Sequence, residues 1–408
     1  MFWAGPFASI AALLSVGIIG VFTQSGGLSV DFSLSEEQGL LKDSIDRLVG
    51  DISDVERHRR LSRSELGFDA GVWQQYAELG WLCVPFTEAQ GGIDGTAVDV
   101  MVICEALGRG LMREPYLPTV ITGGGFLRRG GTPEQQQRFI PGIIDGSQQW
   151  AFAFAETGSY NLGAVATSVQ SGDSGYQLTG SKLAVLNGHC ADHLVVSASI
   201  AGEGVSLFLV DAMAAGVKRQ PVHLVDGSLG ADISFDNVQL DAASLLGAAG
   251  EGVALMESVI DESIIAMGAE ALGAMQVLLD DTVEYTRTRE QFGQPIGKFQ
   301  ALQHRMAEMY LKIEEMRSLL YHAAIKMAEG SAESPLACAA LKVKLAESGR
   351  LVSQQAVQLH GGIGMTDELA VSHYFKRIHL LARLYGDEAY YLQRYMDLSA
   401  IEPVARAS

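Results

Sequence analysis

Apolar residues recur at helical spacing through the first third of the chain. After a helix-start pattern at Ser35, which two glutamates follow, the first amphipathic stretch carries Leu40, Leu41, Ile45 and Leu48. Residues 68–79 and 97–111 continue this periodicity, and loops rich in glycine or containing proline separate the stretches. The pattern predicts an N-terminal α-helical domain over residues 30–149.

The pattern changes near Trp150 to short runs in which apolar and polar residues alternate. Runs such as 193–198 and 205–210 are separated by glycine and aspartate, which is typical of β-strands joined by turns. We therefore expect a middle antiparallel β domain over residues 150–245.

Helical periodicity returns over residues 246–408. Four long stretches carry apolar stripes, namely 258–288, 300–329, 334–359 and 371–398. Four long antiparallel helices pack as a bundle. The predicted fold class is therefore α+β, with an N-terminal α-helical domain, a middle antiparallel β domain and a C-terminal four-helix bundle.

Composition and charge narrow the functional class. The chain has 408 residues, 48% hydrophobic and 19% charged, as expected for a globular protein with sizeable cores. A formal net charge of −19 argues against a nucleic-acid-binding face, which needs clustered lysine and arginine. The cysteines are scattered, so we expect buried thiols in a reducing cytoplasm. A metal site is conceivable at Cys190, between His189 and His193, but the strand pattern there favours a buried turn, and we predict no metal.

Residues 1–29 differ from the rest of the chain because none of them is charged. A signal peptide needs a basic N-terminal region, and a membrane anchor needs about 20 apolar residues flanked by lysine or arginine. Neither pattern is complete here. The stretch that begins at Val30 resembles a start of translation, so we interpret residues 1–29 as an apolar leader or as a start codon set too early.

Two ordered motifs in the C-terminal half carry the chemical information. In the first, Arg289 stands three residues before Phe292, and Gln300 stands eight residues after it. The second is the run Gln-Leu-His-Gly-Gly-Ile-Gly over residues 358–364. Together they resemble the acyl-CoA dehydrogenase family, flavoenzymes that oxidise the Cα–Cβ bond of acyl-CoA thioesters. The resemblance covers residues 30–395.

This resemblance implies an FAD site at the two motifs. A guanidinium can hold phosphate through two parallel hydrogen bonds, so Arg289 is the expected partner of the FAD pyrophosphate. In the family the matching arginine reaches the FAD of a neighbouring subunit; the alternative is an exposed arginine at a helix end. The other residues that the motifs assign to the cofactor are Phe292, Gln300, Gln358, Gly361 and Gly362. The two glycines also fit a helix C-cap, and the two roles are compatible.

The middle domain departs from the family pattern. Glu156 matches the glutamate of a Thr-Glu-Pro segment that contacts flavin and substrate, and the resemblance therefore assigns it to the cofactor. Ala155 and Thr157 replace the threonine and the proline of that segment. Further on, Ala184 and Leu186 replace a tryptophan and a threonine that contact the flavin. We expect weakened flavin contacts from this domain, and plain strand structure is the alternative for both segments.

A catalytic carboxylate is missing from both positions where the family places one. Dehydrogenation needs a base near Cα in a dry pocket, and hydrogen bonds that polarise the thioester carbonyl. Counted from the motifs, the usual glutamate falls on Tyr385 and the alternative glutamate falls on Ser263. A tyrosine, whose ordinary pKa is about 10, is a poor base at neutral pH.

Two carboxylates, Asp261 and Glu262, stand directly before Ser263. Because one residue turns a helix by about 100°, Glu262 faces the site only if the helix shifts its register. A solvated helix face is the alternative for both residues. If the chain is catalytic alone, Glu262 is the candidate base.

The run from Gly361 to Arg377 is most similar to the small-subunit, pimeloyl-CoA dehydrogenase-like type of the family. Such chains often form α2β2 assemblies with FAD between unlike subunits. The chain is then one subunit of a heteromer, or a self-sufficient homotetramer with Glu262 or Asp261 as base, or a structural subunit that binds flavin or acyl-CoA. The resemblance implies an acyl-CoA substrate, a homologous partner subunit and an electron-transfer flavoprotein, and the sequence leaves the acyl chain open.

Overall fold

A computed structural model describes residues 34–172 and 175–400, so the predicted leader lies outside the described residues. The first part is helical, and polar side chains cap several helix N-termini by accepting backbone N–H groups, as Asp54, Asp69 and Thr132 do. The helices are α1 (Glu36–Ile52), α2 (Val55–Leu61), α3 (Ala70–Glu78), α4 (Ala97–Arg109), a π-helix (Tyr116–Gly123), α5 (Gly124–Gly130) and α6 (Pro133–Ile144).

A mixed sheet follows. Its strands are β1 (Trp150–Ala153), β2 (Ser168–Gly172), β3 (Gly175–Leu186), β4 (His193–Ile200), β5 (Gly204–Asp211), β6 (Val217–His223), β7 (Leu229–Leu240) and β8 (Leu245–Leu246). They are ordered β6-β7-β3-β2-β4-β5-β8, and β1 pairs with β4. Apolar side chains of β3, β4, β5 and β7 form a separate hydrophobic core on this sheet.

A helical bundle completes the chain. It comprises α7 (Gly252–Thr288), a hairpin of β9 (Glu290–Gln291) and β10 (Gln294–Pro295), α8 (Gln300–Ala328), α9 (Ser334–His360), a 3-10 turn (Gly361–Met365), α10 (Ala370–Arg383) and α11 (Glu388–Ala400). Among the described helices, α7 is long and apolar enough to cross a membrane, but 83% of its most apolar window is buried inside the protein. It is therefore the central helix of the core.

The predicted fold class is confirmed, with three corrections. The sheet is not purely antiparallel, because β4 runs parallel to both β1 and β2. Leu40 belongs to the predicted apolar stripe of α1 but is exposed, whereas Ile45 and Val49 are buried. The fourth predicted bundle helix, 371–398, is two helices, α10 and α11.

The break between α10 and α11 lies at Tyr385 and Gly386, whose φ angles of 63° and 140° are both positive. The ammonium group of Lys342 stabilises this break by donating to the carbonyls of Leu381 (2.5 Å) and Leu384 (2.8 Å) at the end of α10. Lys342 is fully buried, and burial lowers its pKa to about 7. Helical periodicity continues through the break, so the pattern alone did not reveal it.

Candidate active site and cofactor surface

The two positions at which a catalytic carboxylate was expected meet in space. The hydroxyl of Thr122, in the π-helix, lies 3.2 Å from the Ser263 hydroxyl and 3.4 Å from the Tyr385 hydroxyl. Ser263 donates to the Val259 carbonyl (2.9 Å), so it accepts from Thr122. All three side chains are buried. This base-position cluster, Thr122, Ser263 and Tyr385, contains three hydroxyls and no carboxylate.

Aromatic rings pack against the cluster on the side of the sheet. The Tyr385 ring lies 6.1 Å from the ring of Phe152 and 5.6 Å from that of Phe154, and those two rings stack at 4.9 Å. Burial raises the pKa of Tyr385 to about 12, and the hydrogen bond with Thr122 opposes the shift only partly. Tyr385 therefore stays protonated at neutral pH and cannot act there as a base.

Glu262 is engaged by two arginines of α5. Its carboxylate pairs closely with Arg128, and its Oε2 atom accepts from Nη2 (3.1 Å) and Nε (3.2 Å) of Arg129. Its side chain is only 7% exposed. Because consecutive helical residues point about 100° apart, Glu262 faces α5 while Ser263 faces Thr122. Neither carboxylate oxygen points freely into the base-position cluster.

Asp261 faces another neighbour, α11. Its Oδ2 atom lies 3.1 Å from Nη2 of Arg394, and its buried Oδ1 atom has no hydrogen-bond partner among the described residues. Burial raises the pKa of Asp261 to about 7; Arg394 opposes the shift and Glu257 adds to it. Asp261 and Ser263 are two positions apart, which places them on nearly opposite sides of α7.

Replacing Asp261 by asparagine should change how stability depends on pH. The folded pKa of Asp261 lies above its ordinary value of 3.8. The folded chain therefore keeps a proton that the unfolded chain loses, and stability falls as pH rises through this window. Relative to that of the wild-type chain, the free energy of unfolding of Asp261→Asn should rise by up to about 1.4 kcal/mol per pH unit between pH 5 and 7. Urea unfolding at several pH values measures this; a difference independent of pH would contradict the assignment.

Glu156 lies in a loop after β1 and is fully engaged by protein donors. Lys182, fully buried on β3, donates to its Oε1 atom (2.7 Å), and the backbone N–H groups of Ala166 (2.6 Å) and Thr167 (2.9 Å) donate to its two oxygens. Burial alone raises the pKa of Glu156, but these hydrogen bonds lower it to about 2. Its carboxylate therefore stabilises the conformation of this loop. Any effect of Glu156 on a flavin would be indirect, through the position of the loop.

The first cofactor motif forms the end of α7 and the hairpin after it. Phe292 and Gly293 are the two turn residues, with φ angles of 54° and 79°, as in a type I′ turn. Glycine adopts such angles freely, but for phenylalanine they cost about 1–3 kcal/mol. The Phe292 side chain is nevertheless 91% exposed. A strained turn that presents an apolar ring to solvent indicates contact with a molecule outside this chain.

Arg289 and Gln300 flank this hairpin and are both exposed. The backbone N–H of Arg289 donates to the Tyr285 carbonyl (2.9 Å), which fixes the exit of the chain from α7. Its guanidinium makes no ion pair or hydrogen bond with any described residue. The group is therefore available to an anion.

The second motif ends α9. Gly361 adopts a φ of 67° at the helix C-cap, and its N–H donates to the carbonyls of Val357 and Gln358. Gln358 and Gly362 are exposed, and a Cβ atom added at Gly362 would meet open space. Packing within the chain therefore does not require glycine at position 362. Close approach of an external group would require it. The residues that the family resemblance assigns to FAD are here called the cofactor surface, namely Arg289, Phe292, Gln300, Gln358, Gly361 and Gly362.

The cofactor surface and the base-position cluster lie at opposite ends of α7. Ser263 and Arg289 are 26 residues apart (289 − 263) on this helix and at its C-cap. At about 1.5 Å per residue, their backbones are about 39 Å apart. A single FAD does not span this distance, so an FAD bound at this surface would not reach the base-position cluster of the same chain.

Sequence reasoning missed Thr122, Arg128 and Arg129. Thr122 carries a local signal, because it is a polar residue in an apolar run that ends in three glycines. The pairing of Arg128 and Arg129 with Glu262 has no local signal, since more than 130 residues separate the partners.

Two family models match the chain: acyl-CoA dehydrogenase, C-terminal domain, over residues 250–394, and acyl-CoA dehydrogenase, N-terminal domain, over residues 35–147. Acyl-CoA dehydrogenase FadE27 of Mycobacterium tuberculosis is 32% identical over 355 residues, 85% of this chain and 92% of that protein. The solved Tcur3481-Tcur3483 steroid ACAD is 31% identical, with a TM-score of 0.82 over 90% of this chain and 99% of that chain. The ChsE4-ChsE5 complex from Mycobacterium tuberculosis is 28% identical, with a TM-score of 0.84 over 92% of this chain and 100% of that chain.

Proposed function

The chain belongs to the acyl-CoA dehydrogenase family, and on that premise we propose that it is one subunit of a heteromeric acyl-CoA dehydrogenase. The family is FAD-dependent and oxidises CH–CH bonds of acyl-CoA thioesters. In the proposed assembly, this chain contributes the cofactor surface to a homologous partner. The partner contributes the catalytic base and the flavin-facing cleft.

The observation that carries this proposal is the missing carboxylate. Ser263 and Tyr385 stand at the two places from which the family draws its base, Thr122 lies between them, and all three hydroxyl groups are neutral at pH 7. The neighbouring Glu262 is held by two arginines. A base that removes the Cα proton must reach it with a free carboxylate oxygen, and the described residues offer none at this cluster.

The residues of the cofactor surface fit FAD. Arg289 offers an unpaired, exposed guanidinium, which suits a pyrophosphate; Gln358 offers an amide, and Gly362 leaves space for close approach. When bound, FAD supplies the acceptor for the hydride that leaves Cβ. Because about 39 Å separates this surface from the chain's own base positions, the flavin it holds belongs to a neighbouring cleft.

Two observations favour an unlike neighbour over a second copy. A second copy would present the same three hydroxyls, with Phe154 stacked on Phe152 beside them, so a homomer would contain FAD contacts but no base. The similar Tcur3481-Tcur3483 steroid ACAD and ChsE4-ChsE5 complex are each named for two chains. By this analogy, steroid-derived acyl-CoA thioesters are the first substrates to offer the complex, and an electron-transfer flavoprotein is the proposed acceptor.

Replacing Glu262 by glutamine tests whether this chain supplies the base. In the complex with its partner, we expect acyl-CoA oxidation to stay within about threefold of the wild-type rate, whereas removing a general base costs about 10²–10⁴-fold. The measurement is bleaching of the flavin absorbance by acyl-CoA in single turnover, which isolates the chemical step.

The matched control is Asp261→Asn, which replaces the adjacent carboxylate, on the side of α7 that faces α11. A large rate loss in Glu262→Gln alone would support the self-sufficient enzyme in which Glu262 is the base. Thermal unfolding of both variants shows whether a lost rate reflects chemistry or a destabilised α5–α7 contact.

A further inference from the structure

The cofactor surface is assembled from two separate helix ends. Arg289 and Phe292 follow the end of α7, whereas Gln358, Gly361 and Gly362 lie at the end of α9. In the described chain, no hydrogen bond or ion pair joins residues 285–293 to residues 356–362. The packing of α7 against α9 brings the two halves together, and the side-chain contact nearest to both halves sets their separation most directly.

Tyr285 and His360 make this connection through their rings. The ring centroids lie 4.4 Å apart and the planes are inclined by only 25°, a stacked geometry. Each ring belongs to the last turn of its helix, next to the residues proposed to bind FAD. The stack therefore lies at the junction of the two halves and not in the distant core.

Further hydrogen bonds connect both residues of the stack to their surroundings. Nδ1 of His360 donates to the Ala356 carbonyl (2.8 Å), one turn back in α9, which sets the orientation of the imidazole. The carbonyl of Tyr285 accepts the backbone N–H of Arg289 (2.9 Å), the residue proposed to bind the pyrophosphate. His360 is buried and immediately precedes Gly361. Both residues of the stack are thus joined through the backbone to a proposed cofactor contact, Tyr285 to Arg289 by a hydrogen bond and His360 to Gly361 by the peptide bond.

We propose that the Tyr285–His360 stack is a positioning pair that holds the Arg289 half and the Gly361–Gly362 half of the cofactor surface at the separation FAD requires. This inference rests on the proposed function, because it assumes that the surface binds FAD. Neither ring needs to touch the cofactor. Its effect is preorganisation: the two halves are held in place before FAD binds, which lowers the ordering cost of binding.

Paired substitutions at Tyr285 test the inference in the complex with the partner subunit. Tyr285→Phe keeps the ring and should bind FAD within about twofold of wild type, whereas Tyr285→Leu loses the stack and should bind about tenfold more weakly. FAD is added back to the complex after removal of the cofactor, and binding is followed by quenching of flavin fluorescence. Tyr395→Leu, on α11, is the matched control and should bind FAD as wild type does.

Rescue by the conservative variant separates positioning from a general loss of packing. The inference is overturned if Tyr285→Leu binds FAD as tightly as wild type, or if Tyr285→Phe is as weak as Tyr285→Leu. Should Tyr285→Leu fail to assemble, His360→Phe and His360→Leu provide the same comparison from the other ring. The phenylalanine variant is again expected to retain FAD and the leucine variant to lose it, and equal affinities would overturn the inference.

Arg289→Ala distinguishes failure of this inference from failure of the proposed function. If Arg289→Ala weakens FAD binding and Tyr285→Leu does not, the surface binds FAD but the stack does not position it. If neither variant changes FAD binding, the cofactor surface itself is wrongly assigned.

Discussion

Arg289→Ala is expected to weaken the binding of FAD to the complex strongly while the two subunits remain associated. The guanidinium is exposed and has no partner among the described residues, so its removal leaves no buried group unsatisfied in this chain. Hydrogen bonds to charged groups contribute about 1.5–3 kcal/mol. The expected loss of FAD affinity is therefore roughly 10- to 150-fold.

Arg287→Ala is the matched control for this experiment. Arg287 lies two residues before Arg289 and is also exposed, with only a long contact of 3.9 Å to Glu284. It should retain FAD, because its loss changes the same charge at a different position. Arg289→Lys adds a second comparison, since it keeps the charge but not the planar guanidinium that can donate two parallel hydrogen bonds to phosphate. If Arg289→Ala and Arg287→Ala release FAD equally, the effect is general electrostatics and the assignment of Arg289 is wrong.

Arg377→Met is expected to lower the free energy of unfolding by about 3–5 kcal/mol, the usual cost of breaking a buried ion pair from one side. Arg377, on α10, binds Glu270 of α7 through Nε (2.6 Å) and Nη2 (3.0 Å), and Asp226 of the β6–β7 loop through Nη1 (2.9 Å). Its loss leaves the buried carboxylate of Asp226 and the largely buried carboxylate of Glu270 without this cation. Burial by itself raises the pKa of Asp226, but Arg377 and Ser228 reverse that effect and lower it.

Lys376→Met is the control for the buried network. Lys376 pairs with Asp367 at 3.0 Å, but both side chains are well exposed, so this pair contributes only about 0–1 kcal/mol. Urea unfolding of the two variants at one pH measures the difference. Equal losses would mean that the Arg377 network does not hold α7, α10 and the sheet together.

The sequence predicted the fold because periodicity is a local property. The helical and strand patterns around Trp150 and in the bundle are visible in short windows, and the burial of α7 follows from its apolar composition. The break at Tyr385 was missed because it depends on a contact between residues that are distant in sequence. It depends on Lys342, which reaches the carbonyls of Leu381 and Leu384 from another helix.

Counting residues from the two motifs also identified two residues of the candidate active site. It selected Ser263 and Tyr385, which are far apart in sequence, and both lie within hydrogen-bond reach of Thr122. It did not reveal the partners of Glu262, because Arg128 and Arg129 come from α5 and only the tertiary fold brings them to α7. The helix phase did indicate that Glu262 would point away from Ser263.

The Tyr285–His360 stack illustrates a limit of motif reasoning. Both residues stand inside or beside the two motifs, yet neither carries an obvious chemical role in the sequence. Their importance arises from a ring contact across 75 positions (360 − 285), which only the packing of α7 against α9 creates.

In the proposed assembly, this chain completes a flavin site whose cleft and base belong to an unlike partner. The visible spectrum of the purified chain, alone and after co-expression with any homologous acyl-CoA dehydrogenase gene adjacent to its own, tests this arrangement most directly. We predict a colourless chain alone and a yellow complex with one FAD for each pair of unlike subunits. A lone chain that purifies with stoichiometric FAD and is bleached by acyl-CoA would contradict this arrangement, and Glu262 and Asp261 would then be the residues to test as its base.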